Sequence, residues 1–101
     1  MLRDQMSQKS EQLLIYLEKS RAIRTLLCLY RSKSKGLDEI LMEIGGSKST
    51  GMARISELVK LGLVTKKASQ TEKRKMLYCL ELKGQKIAKD LQEILDQFEE
   101  K

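Results

Sequence analysis

The sequence contains no histidine at all. That removes an imidazole base, a serine or cysteine nucleophile paired with histidine, and a zinc site built from two cysteines and two histidines. Catalysis is therefore poorly provided for, and neither a metal cluster nor a cofactor motif stands in the chain. No apolar run approaches the roughly 20 residues that span a bilayer, and the opening "MLRDQMSQKS" lacks the apolar core of a signal peptide, so a cytoplasmic location is expected. Cysteine is scarce. Cys28 and Cys79 stand far apart in "TLLCLY" and "MLYCLEL", without CxxC spacing. They read as two small core hydrophobes, the alternative being a redox switch that needs the thiols close together or one of them exposed.

What is present suits one globular domain spanning residues 1–101, large enough for a modest core. Its net charge of +6 is unevenly placed: residues 1–82 carry sixteen Lys and Arg against nine Asp and Glu, residues 83–101 four against five. A basic body with a near-neutral tail points to a polyanionic partner for the body and a separate task for the tail.

Apolar spacing divides the chain into elements. Leu2, Met6, Leu13, Leu14 and Leu17 predict an amphipathic helix over 1–19. Ser20 is positioned to cap a second helix, 21–31, with Ile23, Leu26, Leu27 and Tyr30 as its stripe, and the spacing leaves open whether the two helices are continuous. "SKSKG" is a polar break. "LDEILMEI" is a short helix with Leu37, Ile40, Leu41 and Ile44 inward, and Asp38 and Glu39 near its positive end. Gly45 and Gly46 stop it, Ser47 caps the next helix, and Gly62 ends that one near Leu61. "LVTKKA" and "MLYCLEL" predict two antiparallel strands joined by the basic loop "SQTEKRK". From Lys83 onward a long helix carries Ile87, Leu91, Ile94, Leu95 and Phe98 on one side, a stripe too long for the small sheet to cover. A second copy of the chain is the simplest cover, because twofold homodimers are the commonest soluble assemblies; Leu13 and Leu17 are expected to join that interface.

This order, with "GGSKSTGMARISELVKLGLV" at 45–64 and "MLYCLELKGQKIAKDL" at 76–91, resembles the winged helix-turn-helix fold over about residues 20–91. Among named groups it looks most like the MarR-like and related archaeal winged-helix regulators. The resemblance implies a mainly α fold with a small antiparallel β-hairpin wing: a core over 20–82, an N-terminal helix over 1–19 and a dimerising C-terminal helix over 83–101. It also implies double-stranded DNA as partner, with the helix at about 48–61 in the major groove. One departure is Gly51, where the family usually has Val or another core residue; it costs about 1 kcal/mol of helix stability relative to Ala. Leu41 stands where the family often has Ala, so it is expected to pack over the glycine, the alternative being a helix loose at its start.

Helical geometry puts Gly51, Ile55, Leu58 and Gly62 on the core side. The opposite side carries Ser49, Thr50, Ala53, Ser56 and Lys60, with Ser47 at the helix start and Lys48 and Arg54 on the flanks. This face has no bulky obstacle to a groove, yet few bidentate base readers, so modest sequence selectivity and much phosphate contact are expected. Lys66, Lys67, Lys73, Arg74 and Lys75 are the wing's candidates for phosphate or minor-groove contact, a solvated loop being the bland alternative. Arg21, Arg24, Lys33 and Lys35 are secondary candidates for the DNA backbone. Two further readings stay open: an architectural DNA-binding protein of low specificity, and a winged helix that binds protein. The sequence names no small-molecule effector.

Overall fold

The computed structural model describes residues 7–32 and 34–100. Helix α1 (Gln8–Leu17) begins where the Ser7 hydroxyl accepts the Ser10 amide at 3.1 Å; Leu2 and Met6 of the expected stripe lie outside the described residues. Tyr16, absent from that stripe, is the buried residue of α1, its hydroxyl donating to the Ala22 carbonyl at 3.1 Å. The next helix, α2 (Ala22–Tyr30), is a separate element. Ser20 does not cap it: the N-cap is Arg21, in the left-handed conformation (φ 68°) with no side-chain cap bond. A turn closed by Ala22 N to Lys19 O at 3.2 Å reverses the chain here and leaves Ser20 exposed on the bend. The left-handed backbone costs a non-glycine residue roughly 1–2 kcal/mol, so something must hold Arg21 in place.

Part of the expected polar break is a strand. β1 (Lys35–Gly36) pairs antiparallel with β3 (Met76–Leu80), Lys35 opposite Tyr78, while β2 (Val64–Ala68) pairs with the other edge of β3, Val64 opposite Leu80. The expected hairpin is thus a three-stranded sheet of order β1-β3-β2. Two residues joined through backbone bonds leave no side-chain period to read.

Between these strands, α3 (Leu37–Ile44) ends at Gly45 and Gly46, both at positive φ, and α4 (Lys48–Lys60) opens with the Ser47 hydroxyl accepting the Thr50 amide at 3.1 Å. Gly51, Ile55 and Leu58 are buried as expected. Gly62 is not on that face. It lies exposed just beyond the helix at φ 76°, serving only as the stop.

The core gathers Leu26, Leu29, Ile40, Ile55, Leu58, Leu63 and Leu80 from three helices, the sheet and the turn that leads into β2. Each buried Leu or Ile side chain contributes about 1.5–3 kcal/mol. α5 (Leu82–Glu99) crosses α2 and is seated by Gly84, whose bare Cα lies on the Leu63 carbonyl with no room for a Cβ. Beyond Leu91 the apolar side of α5 leaves the core: Ile94 is 59% exposed, Leu95 44% and Phe98 91%. No helix among the described residues is long and apolar enough to cross a membrane.

Candidate nucleic-acid interface

With about 3.6 residues per turn, burying Gly51, Ile55 and Leu58 turns Ser49, Ala53, Ser56 and Lys60 outward. Ser49, Ser56, Lys60 and the neighbouring Lys48 are exposed and Ala53 is half-buried. Ser47 and Thr50 are engaged in the cap, the Ser47 hydroxyl donating to Thr50 Oγ1 at 2.8 Å. Met52 and Val59, 45% and 38% exposed, extend this face toward the sheet. Neither was a sequence candidate, and the only available signal was that both fall off the core arc while being too apolar for plain solvent.

A cleft of about 240 Å³ lined by Met52, Ser56, Val59, Lys66 and Tyr78 joins α4 to β2. A second, of about 520 Å³, runs between the start of α3 and the wing loop and is lined by Glu39, Lys66, Glu72, Arg74 and Lys75. Lys66 belongs to both, so the outer face of α4 and the wing form one continuous surface.

The wing loop has its own internal order. Ser69 N donates to the Lys75 carbonyl at 2.8 Å, and the Ser69 hydroxyl accepts the amides of Thr71 and Glu72. Arg74 takes a left-handed φ of 62° and is exposed, as are Lys66, Lys67 and Lys73. Lys75 is different. Its ammonium lies 3.4 Å from Glu72 and 3.6 Å from Glu39, and its Cε rests against Gly36. The Glu72 carboxylate, with Glu39 behind it, holds the Lys75 pKa above the ordinary lysine value. Lys75 thus fastens the loop to the start of α3.

Arg54 also stands apart from the open face. Its side chain is 13% exposed, bonded to Glu57 at 2.8 Å, and Glu57 in turn takes Lys19 of the α1–α2 turn at 2.9 Å. Burial, and next the Glu57 charge, push the pKa of the adjacent Tyr16 hydroxyl upward. To meet a base, Arg54 has to leave Glu57.

Among the secondary candidates, Arg24 is exposed and Lys33 lies outside the described residues. Lys35, its side chain 16% exposed, pairs with Glu43 and sits 3.8 Å from the Cys28 sulfur. Burial, then Glu43, push the Cys28 thiol up to about 12, and Cys79 is half-buried on β3. The dimer candidates divide: Leu13, Leu17, Ile87 and Leu91 pack on the core of their own chain, whereas Ile94, Leu95 and Phe98 do not.

No protein-family model and no curated protein matches the chain. Solved structures do. A MepR–DNA complex from S. aureus is 19% identical with a TM-score of 0.72, over 99% of this chain and 83% of that one. A protein from Archaeoglobus fulgidus is 24% identical with a TM-score of 0.71, over 84% and 94%. A MarR transcriptional regulator from Methanosarcina mazei is 22% identical with a TM-score of 0.69, over 88% and 64%. These likenesses establish the fold as a winged helix-turn-helix like that of the MarR-type regulators, mainly α with a small antiparallel sheet.

Proposed function

We propose that the chain is a sequence-selective double-stranded DNA-binding protein acting as a homodimeric transcription regulator in the cytoplasm, and not an enzyme. The observation that carries this reading is the unobstructed outer side of α4, with Ser49, Ser56 and Lys60 exposed and joined through Lys66 to the basic wing. An α-helix fits the major groove, and residues on its outer face then meet base edges. Lys48, Ser49, Ala53, Ser56 and Lys60 are the residues to line the groove. Ser47 and Thr50 support the helix start, and Arg54 joins only if released from Glu57. Lys66, Lys67, Lys73 and Arg74 meet phosphate or the minor groove, and Lys75 holds the loop. That the MepR neighbour was solved with DNA supports the choice of partner.

Homodimerisation rests on α5. Ile94, Leu95 and Phe98 leave an apolar strip on its last turns, and a second copy placed symmetrically covers both strips at once. The two α4 helices of such a dimer would enter successive major grooves about 34 Å apart.

The test is titration of the protein onto the DNA upstream of its own gene and onto random duplex at two salt concentrations. Tighter binding to the first, surviving the higher salt, supports a regulator. Equal affinity with equally steep salt dependence supports the architectural reading. Absence of binding to either duplex rejects DNA as the partner.

A further inference from the structure

Arg21 is among the cations that the sequence offers for phosphate, but its side chain is turned inward. Its Nη1 donates to the carbonyl of Ile44, the last residue of α3, at 3.1 Å across 23 residues of sequence. Its guanidinium covers Gly46: a Cβ built there would lie 3.0 Å from Nε and 3.5 Å from both Cζ and Nη2. The carbonyl it caps is one that a helix end leaves without an internal partner, and a cation there also suits the negative end of the helix. Gly45 and Gly46 run at φ 70° and 78° immediately before Ser47, which starts α4. Whatever holds this turn therefore sets the entry of α4.

The backbone of Arg21 is held as firmly as its side chain. Its carbonyl accepts both the amide of Thr25 at 3.0 Å and the Thr25 hydroxyl at 2.7 Å, and Thr25 is fully buried. This pair of bonds anchors the Arg21 carbonyl at the start of α2, while the residue itself stands at φ 68° with its side chain reaching across the α3–α4 turn. A strained backbone maintained by its surroundings is a reasonable place to look for function.

We infer that Arg21 is a positioning residue for DNA recognition: through the Ile44 carbonyl and Gly46 it fixes the angle at which α4 is presented, and it touches no phosphate. This rests on the DNA-binding reading, and it makes a different prediction from a phosphate contact. Removing a phosphate contact lowers the slope of log affinity against log salt by about 0.9 and weakens all sequences alike. Removing a positioning residue leaves the slope and weakens the preferred sequence most.

The full-length protein and its Arg21→Met and Arg21→Lys variants are titrated, well below their melting temperatures, onto a duplex obtained by selection with the wild type and onto random duplex over a range of salt. Arg21→Met is expected to lose about tenfold on the selected duplex, the size of one mismatched base pair, with random-duplex affinity and salt slope unchanged. Arg21→Lys keeps the charge but not the plane that covers Gly46, and is expected to fail to restore the selected-duplex affinity. A slope lowered by about one, an equal loss on both duplexes, or full rescue by Lys overturns the inference. Amide exchange in the free protein gives a reading independent of DNA: faster exchange at Gly45 and Gly51 in Arg21→Met, with α5 unaffected, is expected. Unchanged exchange there overturns the positioning role, whereas a wild type that binds no duplex overturns the DNA reading.

Discussion

Leu41 Cδ2 occupies the place where a Cβ on residue 51 would stand, with Ile44 Cδ1 at 3.3 Å on the other side. The crossing of α3 and α4 thus depends on one side chain being large and the other absent. Gly51→Ala gains about 1 kcal/mol of helix propensity but must displace Leu41, and overpacking of that kind costs about 1–3 kcal/mol. Net destabilisation in urea unfolding is expected. Combining it with Leu41→Ala should restore much of the loss, with a coupling of at least about 0.5 kcal/mol. Strict additivity of the two single changes would mean that the helices do not meet as described.

Glu57 bridges Arg54, whose side chain is 13% exposed, and the more open Lys19, at 40%. Glu57→Gln leaves a mostly buried guanidinium without its counter-ion and should destabilise by about 1–3 kcal/mol. Lys19→Met removes only the outer ion pair and should cost less than about 1 kcal/mol. Equal losses in chemical denaturation would show that burial of Arg54 is not what makes the bridge matter.

The Cys28 thiol, pushed up to about 12 by burial and by Glu43, holds its proton more tightly folded than unfolded. Its contribution to stability is therefore complete below the unfolded thiol value of about 8.5. It erodes as pH rises from there toward the folded value, at up to about 1.4 kcal/mol per pH unit. Between about pH 8.5 and 10 Cys28→Ala should flatten this decline, although the lost packing makes it less stable at neutrality. Unfolding curves across that window decide it: an undiminished alkaline decline in the variant assigns the effect to another group.

In the wing, Lys73→Ala and Arg74→Ala should each lower the salt slope of DNA binding by about 0.9. Lys75→Ala should lower it less, since Glu72 and Glu39 already neutralise that ammonium in the free protein. Fluorescence anisotropy over a salt series measures all three. An equal effect from Lys75 would place it on phosphate and not on the loop.

Phe98, 91% exposed, is expected to be buried in a homodimer. Sedimentation at micromolar protein should give twice the chain mass for the wild type and the single mass for Phe98→Glu. A monomeric wild type would remove α5 as the interface.

Much of this architecture was legible in local sequence. Gly45, Gly46, Ser47 and Gly62 marked the limits of α3 and α4 because the left-handed backbone and the hydroxyl cap are properties of single residues. The Gly51 and Leu41 pair was also readable, since each departs in volume from a familiar pattern and the departures are opposite. Ser20 misled, because a capping residue signals a helix start only when the chain arrives extended, and here it arrives from a tight bend. β1 was invisible: its two residues are held by backbone bonds to a strand some forty positions later.

The candidate site divides along the same line. Side-chain spacing by itself determined that a helix with a small, polar outer face precedes a cationic β-loop, since periodicity and charge are written residue by residue. Only the tertiary structure decided which cations are free. Arg54, Lys75 and Arg21 are as basic on paper as Lys48, Lys73 and Arg74, but packing buries Arg54 against Glu57 of its own helix and brings Glu39 and the Ile44 carbonyl to the other two. A charge is committed by whatever lies within a few ångströms of it, and for Arg21 that neighbour lies 23 residues away along the chain.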